Sequence, residues 1–314
     1  TFLDTAQARG SVVGHARQLG YTPRSATAPI AYVDVVVNNP STPILTLERG
    51  HRFKTKVGNE SFTFVTDQEY RTTDGTFSNV KIIEGQVKRS EFIYDSISNE
   101  KLLLPEPNAD TSTLRVLVYD SENSVTFTTF SEAKDLTTIR GDSAVYFVQE
   151  NPDGLYELTF GDGVVGQALG SGNYVVAEYL VTNITEANGA SQFSNVDPVD
   201  GNTNVTVSTV QSALGGENKE STEAIRKVAP ISFAGQNRAV TPGDFEALIL
   251  SNFSNAESVK VWGGETNEPP VYGKVFITVK PRDGEILSDN EKSVILDEII
   301  GPKSVVTITS EILD

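Results

Sequence analysis

The hydrophobic pattern of the chain changes period twice along its length. Near the start, Val12, Ala16 and Leu19 recur at the i, i+4, i+7 spacing of one helix face. Gly20 and Pro23 follow, and these residue types commonly end a helix. The first 24 residues therefore predict a helix and its stop.

Between about Ala26 and Val210 the apolar residues recur with the period of two that is typical of strands. The first run places Ala31, Val33, Val35 and Val37 on one side, with Tyr32 and Asp34 on the other. Further strands are predicted at Phe62–Val65, Val80–Val87, Leu114–Tyr119, Val125–Phe130, Ala144–Gln149, Leu155–Phe160 and Tyr174–Val181. Many short strands separated by turn residues predict antiparallel β structure, in two small units that meet near Lys88–Glu91.

After Gly215 helical signals return. A helix is predicted from Asn218 to Val228. Thr241-Pro242-Gly243-Asp244 then has an N-cap residue, a proline at the first helical position and an acid at the third, so a helix is predicted from there to about Asn252. Ser288-Asp289-Asn290-Glu291 is a second capping box, which opens a helix to about Ile300.

Strands are predicted between and after these helices, at Ser258–Trp262, Lys274–Lys280 and Val305–Leu313. The resulting α-β-β-α-β order predicts helices packed on one face of a small sheet. The fold class is therefore multidomain α+β, with mainly antiparallel β units followed by this C-terminal α/β unit. The predicted division is 1–24 (N-terminal helix), 25–90 (first β domain), 91–192 (second β domain) and 193–314 (C-terminal α/β domain with a linking strand).

Composition narrows the function classes. The 314 residues contain no Cys, which removes disulfides and thiolate chemistry, and no Met, which fits either an internal fragment or methionines missing from the written sequence. Asp and Glu number 42 against 25 Lys and Arg, a formal charge of -17. Such a surface repels phosphate backbones, so we expect no nucleic-acid partner. No secretory signal and no apolar run of about 20 residues is present, so we expect no membrane partner.

Three candidate sites are each better explained by folding. His15 and His51 have no metal-ligand spacing around them, and no nucleophile elbow is present. The glycine-rich segment Phe160–Gly166 precedes a strand rather than a helix, which favours a β-turn over a phosphate loop. The oxygen-bearing residues of 197–204 lack the glycine and terminal Glu of a calcium loop, which favours an Asx-rich turn. We therefore predict no catalytic, cofactor-binding or metal residues and no cofactor.

A distinctive set of short motifs lies between residues 213 and 248. These are Ala213–Glu217, Glu220-Ser221, Glu223–Arg226, Ala229-Pro230, Asn237–Thr241, Asp244-Phe245 and Ala247-Leu248. Together they resemble the signature of the baseplate J-like family, found in baseplate wedge proteins of contractile-tailed phages and related injection machines. Ser258–Trp262 and Gly273–Ile277 are also similar to its C-terminal unit, while Leu19–Tyr21 and Phe160–Gly166 are similar to its upstream β regions.

The resemblance covers about 213–280 strongly and the earlier chain loosely. The order and size of the pieces are most similar to a T4-type wedge subunit of the inner baseplate ring, without that type's larger N-terminal part. The physical features of the motif concern folding: Gly215-Gly216 permit a sharp turn, Arg238 is placed to pair with Asp244 or Glu223, and Phe245, Leu248 and Ile249 form one helix face.

The resemblance implies a structural protein rather than an enzyme, located in the tail baseplate of the virion. It implies self-association, as a homodimer within a larger ring, and binding to other wedge proteins while the baseplate assembles and rearranges. Two alternatives from other classes stay open at this point. One is a secreted or surface adhesin with ligand-binding β domains, and the other is a hydrolase that uses paired carboxylates.

Overall fold

The computed structural model describes residues 3, 6–96, 101–133, 139–235, 239–253, 255–281, 286–304 and 308–313. The chain forms two compact units. The larger consists of Ser25–Lys219, and the smaller combines Thr1–Arg24 with Glu220–Asp314.

The larger unit is built from strands. Their bounds are β1 Ile30–Val37, β2 Leu45–Leu47, β3 Arg52–Val57, β4 Glu60–Thr66, β5 Tyr70–Thr72, β6 Thr76–Glu84, β7 Gln86–Ile93, β8 Leu102–Leu104, β9 Ala109–Tyr119, β10 Phe127–Glu132, β11 Val145–Glu150, β12 Tyr156–Phe160, β13 Tyr174–Val181, β14 Ser194–Asn195 and β15 Val205–Leu214.

Two main sheets organise these strands. The first has the order β14-β3-β4-β6-β1-β15, and β2 pairs with β5 beside it. Its core contains the alternating residues of β1 together with Phe53, Phe64 and Ile82, all of them inaccessible to solvent. The late strand β15 returns to pair with β1 across nearly its whole length, so this sheet joins residues that lie far apart in the chain.

The second sheet has the order β7-β13-β9-β10-β11-β12-β8. All of its neighbouring pairs are antiparallel except β10 and β11, which pair in parallel. Its core is built around Leu158, Tyr179 and Val116. A small apolar cluster of Ala28, Val65, Ile83 and Leu180 joins residues of the two sheets.

The smaller unit contains the helices of the described chain. They are α1 Arg9–Gln18, α2 Thr222–Gly235, α3 Pro242–Asn252 and α4 Asp289–Ser293, which continues as a π-helical segment, Val294–Ile300; a short 3-10 turn spans Gly264–Thr266. The strands are β16 Ala256–Gly263, β17 Lys274–Pro281 and β18 Thr309–Leu313, in the order β16-β17-β18. The β16–β17 pair is antiparallel and the β17–β18 pair is parallel.

Two cores hold the smaller unit together. Helices α1 and α2 bury Val12, Val13, Ala16, Ile225 and Ala229 against each other. Helix α3 and the π-helical segment cover one face of the three-stranded sheet, where Phe245, Ile249, Ile295, Ile277 and Val261 pack together. The protein is thus mostly β with few helices, as the sequence pattern predicts.

Some predicted elements need correction. Val80–Val87 is not one strand, because β6 ends at Glu84, β7 begins at Gln86, and the two belong to different sheets. Gly85 makes the break: its φ is +135°, and a Cβ there would lie 2.8 Å from the Val181 carbonyl oxygen. The helix predicted from Asn218 begins instead at Thr222 and runs to Gly235, past Pro230.

Other predicted elements were missed or fall outside the description. The short strands β2, β3, β5, β8 and β14 had no predicted counterpart, because their hydrophobic runs are short or carry many polar residues. The long strand β15 was predicted only as a linking strand within 193–314, without bounds. Arg238 and residues 305–307 lie outside the described residues.

Candidate interaction surfaces and the buried polar network

The helix start predicted at Thr241 is confirmed. The Asp244 backbone N–H donates to Thr241 Oγ1 at 3.3 Å, and the Thr241 N–H donates to Asp244 Oδ2 at 2.8 Å. A proline occupies the first turn, and Phe245, Leu248 and Ile249 are buried on the face toward the sheet. The same reciprocal arrangement occurs between Ser288 and Glu291 at the start of α4. These residues build the fold and present no reactive group.

The glycine-rich segment forms a turn, as predicted. Asp162 accepts hydrogen bonds from the N–H groups of Val164 and Val165, both at 2.9 Å, and these bonds hold the pKa of Asp162 below its usual value. Gly163 has a φ of +87°, which a glycine adopts without strain. The N–H groups of Val164 and Val165 are thus bonded to the segment's own carboxylate rather than available to a phosphate. The side chain of Val164, at the tip of the turn, is 75 % exposed.

The Asx-rich segment also forms a turn, and its side chains bind neighbouring parts of the protein. The Arg52 guanidinium contacts both oxygens of Asp197, at 2.6 and 2.9 Å, and holds the pKa of that carboxyl below its usual range. Asp200 accepts from the Thr46 N–H at 2.5 Å. Asn202 accepts from the Ser41 N–H at 3.2 Å. These oxygens are directed to separate protein donors rather than to one shared cation.

The turn lies next to a recess of about 420 Å³ between the β14 and β15 regions. Val199 and Asn202 exchange two backbone hydrogen bonds around Asp200 and Gly201, both with positive φ, which is the geometry of a tight hairpin turn. The recess is lined by Phe193–Pro198, Thr203 and Val205–Val207. Asp197, the one charged residue that lines this recess, is paired with Arg52.

The two histidines lie in different segments of the chain. His15 is on α1, and His51 is a buried residue just before β3 whose Nε2 lies 2.6 Å from Asn195 Oδ1. Within the described residues, no group of three or more His, Asp or Glu side chains is placed to hold a metal ion. No described helix has the length and apolar character needed to cross a membrane.

A buried carboxylate joins the two sheets of the larger unit. Glu84, at the end of β6, is inaccessible to solvent and accepts from Thr182 Oγ1 at 2.7 Å and from the N–H and side-chain amide of Asn183 at 3.0 and 2.7 Å. Burial raises the pKa of Glu84 above its usual value, although these hydrogen bonds oppose the shift. Asp110, another buried acid of this unit, accepts from the Ala28 N–H and from Ser112. Both acids fasten chain segments together.

In the smaller unit, a buried carboxylate holds two chain segments together. Glu220 is 7 % exposed, and the Tyr21 hydroxyl lies 2.9 and 2.8 Å from its two oxygens. The Arg24 N–H donates to the same carboxylate at 3.1 Å. Burial raises the pKa of both Glu220 and Tyr21. The two belong to segments that the family resemblance singled out separately, and the structure brings them into direct contact across 199 positions.

Gly215 and Gly216 let the backbone turn and pack closely against neighbouring chain segments. Gly215 has a φ of +87°, and a Cβ on Gly216 would lie 2.1 Å from the Ile184 carbonyl oxygen. The Gly216 N–H and C=O both bond the side-chain amide of Asn188, at 3.0 and 2.9 Å. The pair is therefore needed where β15 leaves its sheet.

The smaller unit presents apolar side chains to solvent. Those of large size are Val240, Leu250, Val271, Tyr272 and Ile286, and Tyr272 is 82 % exposed. On the face of the sheet opposite the helices, Trp262 stacks on Phe276 with ring centroids 6.0 Å apart. Apolar surface of this kind is what a protein partner covers, and the larger unit also exposes large apolar side chains, among them Ile93 and Val125.

The amino-acid sequence matches a family model and a curated relative. Residues 241–313 match the model of the family described as baseplate structural protein gp6, C-terminal domain I. The chain is 26 % identical over 321 aligned positions to the baseplate wedge protein gp6 of Enterobacteria phage T4, covering 92 % of this chain and 47 % of that protein. The chain therefore spans about half the length of the curated relative it matches.

A solved structure is also similar, the baseplate of the anti-feeding prophage determined by cryo-EM with 6-fold symmetry. The match covers 99 % of this chain and 62 % of that one at 15 % identity, with a TM-score of 0.32, too low to establish a shared fold. The sequence matches to phage baseplate proteins support a baseplate wedge-like protein with a structural role, located in the tail baseplate of the virion.

Proposed function

We propose that this chain is a wedge component of a contractile-tail baseplate, which associates with further copies of itself in the inner ring and binds other wedge proteins. The observation that carries the proposal is the sequence match to a phage T4 baseplate wedge protein over 92 % of the chain. The wider resemblance to the baseplate J-like family belongs to the same proposal. So does the division at 1–24, 25–90, 91–192 and 193–314, which stays a prediction.

The distribution of polar groups supports a structural role. The buried carboxylates Glu84, Asp110 and Glu220 are each surrounded by donors of the protein itself, so they hold segments together. A carboxylate pair for hydrolysis needs two acids that face a common cavity open to substrate. The 420 Å³ recess of the larger unit is lined by a single acid, and that acid is bound to Arg52.

The adhesin alternative depended on a calcium or ligand site in the β domains. The oxygen-bearing residues of 197–204 that suggested calcium form hydrogen bonds to Arg52, Thr46 and Ser41 instead. No specific observation favours this class, so the wedge role is the function that the chain supports best.

Sedimentation equilibrium of the purified chain, alone and with candidate wedge proteins, tests the proposal. We expect a concentration-dependent dimer alone and a larger complex on mixing. A biological interface should bury more than about 1,000 Å² in total and have an apolar centre. A strict monomer at high concentration that also binds no wedge protein would contradict the proposed role.

A further inference from the structure

The sheet of the smaller unit has two outer strands, and they differ in how their free edges are protected. Strand order is β16-β17-β18, so the far sides of β16 and β18 have no strand partner among the described residues. Unpaired strand edges attract other strands, and proteins normally block them with charges, prolines, bulges or covering side chains. Comparing the two edges therefore shows which one is available for pairing.

The β16 edge is blocked. Glu246 of α3 accepts a hydrogen bond from the Val261 N–H at 3.0 Å, so this amide is not free to bond another strand. The pairing register also shifts between Ala256 and Ser258, which bends the strand. The exposed Lys260 adds a charge that disfavours an incoming strand.

Among the residues that the structure describes, the β18 edge has none of these features. The strand Thr309–Leu313 contains no Lys, Arg or Pro. Its one charged residue, Glu311, is bound by Lys274 of the neighbouring strand, with which it shares a face. The Thr309 N–H donates to the Gly273 carbonyl at 3.0 Å, toward β17. Because backbone groups alternate sides along a strand, Ser310 and Ile312 direct their N–H and C=O groups outward.

Charge makes this sheet a favourable place for a second copy to approach. Residues in register share a face, so Lys260, Lys274, Lys280 and Glu311 lie on the side opposite the helices, and Glu257 bonds Lys280 at its margin. Three lysines against two acids give this region a net charge near +1, whereas the whole chain carries -17. An acidic copy is therefore repelled less here than at an average surface.

From these observations we infer that two copies of the chain pair through β18, in antiparallel orientation about a two-fold axis, and so join two three-stranded sheets into one of six strands. Ser310 of each copy then faces Ile312 of the other, and the outward N–H and C=O groups of both strands are paired. Glu311 lies at the axis on the sheet face opposite the helices, where each copy contributes its ion pair with Lys274 rather than a bare carboxylate. Ile312 of each copy lies on the other, apolar face of the junction, which packs against the helices. The inference rests on the proposed self-association and specifies its surface.

A matched pair of variants tests this surface. Ser310→Pro removes the outward N–H without removing a bond to β17, whereas Ser310→Ala keeps that N–H and deletes only the hydroxyl, which is buried without a hydrogen-bond partner in the described structure. Sedimentation equilibrium of the full 314-residue chain should show the dimer unchanged for Ser310→Ala and weakened at least about tenfold for Ser310→Pro. Circular dichroism confirms that both variants are folded.

Hydrogen exchange of the unmodified chain gives an independent measurement should Ser310→Pro fail to fold. Peptides that cover 308–313 should become more protected as protein concentration rises, and peptides that cover β16 should not. A folded Ser310→Pro variant that dimerises like the parent chain, or a dimer with no added protection at 308–313, would overturn the β18 surface and leave self-association intact. A parent chain that stays monomeric at all concentrations would overturn both.

Discussion

At the scale of single residues, this protein uses buried carboxylates as structural fasteners. Glu84 and Glu220 are almost inaccessible, yet each has hydrogen-bond donors from a distant segment of the chain. Burial disfavours the charged form, and the pKa of each is raised as a result. Buried carboxylates of this kind favour one specific set of contacts between segments. Because they ionise, the stability of the fold depends on pH.

Glu84→Gln tests this dependence. Because the folded-state pKa of Glu84 lies above its usual value of 4.5, the folded protein holds the proton more tightly than the unfolded chain. Its contribution to stability is therefore full below the unfolded pKa and falls as pH rises through the folded pKa. Glutamine does not titrate, so the free energy of unfolding of the variant relative to the parent should rise as the pH is raised above the usual glutamate value of 4.5.

Urea unfolding at several pH values measures that difference. Glu60→Gln makes the same substitution at an exposed position at the start of β4 and provides the control. If the difference between Glu84→Gln and the parent were constant across the range, burial of Glu84 would not govern its titration.

Alanine substitutions at two glycines should change the stability of the protein in opposite directions. A Cβ at Gly216 would lie 2.1 Å from the Ile184 carbonyl oxygen, whereas a Cβ at Gly14, inside α1, would meet nothing within 4 Å. Gly216→Ala should therefore destabilise by about 1–3 kcal/mol through overpacking. Gly14→Ala should stabilise by about 0.5–1 kcal/mol, because alanine loses less entropy in a helix. Thermal unfolding that moved in the same direction for both would contradict this account.

At the scale of secondary-structure elements, features that depend on neighbouring residues were predictable from the sequence, whereas contacts between distant segments were not. The cap at Thr241 and the alternation in β1 depend on residues within four positions, so the sequence displays them directly. The contact between Tyr21 and Glu220 spans 199 positions and has no local signature. The same holds for β15, whose pairing with β1 closes the first sheet from far along the chain.

Thr241 also supplies the element-scale prediction. Its hydroxyl oxygen accepts the Asp244 N–H, one of the donors at the helix start that lack an intrahelical partner. Thr241→Ala should therefore reduce the free energy of unfolding by about 0.5–2 kcal/mol. Thr241→Ser keeps the capping oxygen and should stay close to the parent in the same urea titration. An alanine variant as stable as the serine variant would show that this cap contributes nothing.

At the scale of the whole molecule, the net negative charge opposes association between copies, whereas exposed apolar surface favours it. The chain carries -17, which opposes contact between copies, while the smaller unit exposes Val240, Leu250, Tyr272 and Ile286. Neither property shows where partners bind, because the residues of an interface have no common spacing in the sequence. The candidate surface on β18 emerged only from sheet order and from the direction of backbone groups.

The balance between these two forces predicts how proposed self-association responds to salt. Apolar contact depends little on moderate ionic strength, whereas repulsion between two chains of charge -17 is screened over about 10 Å at 0.1 M salt and about 3 Å at 1 M. The dimer dissociation constant should therefore fall as sodium chloride is raised from about 0.05 to 0.5 M. Sedimentation equilibrium across this range measures it, with sucrose at matched viscosity as an uncharged control. Association that weakened with salt would mean that attraction between opposite charges, rather than apolar contact against a repulsive background, holds the copies together.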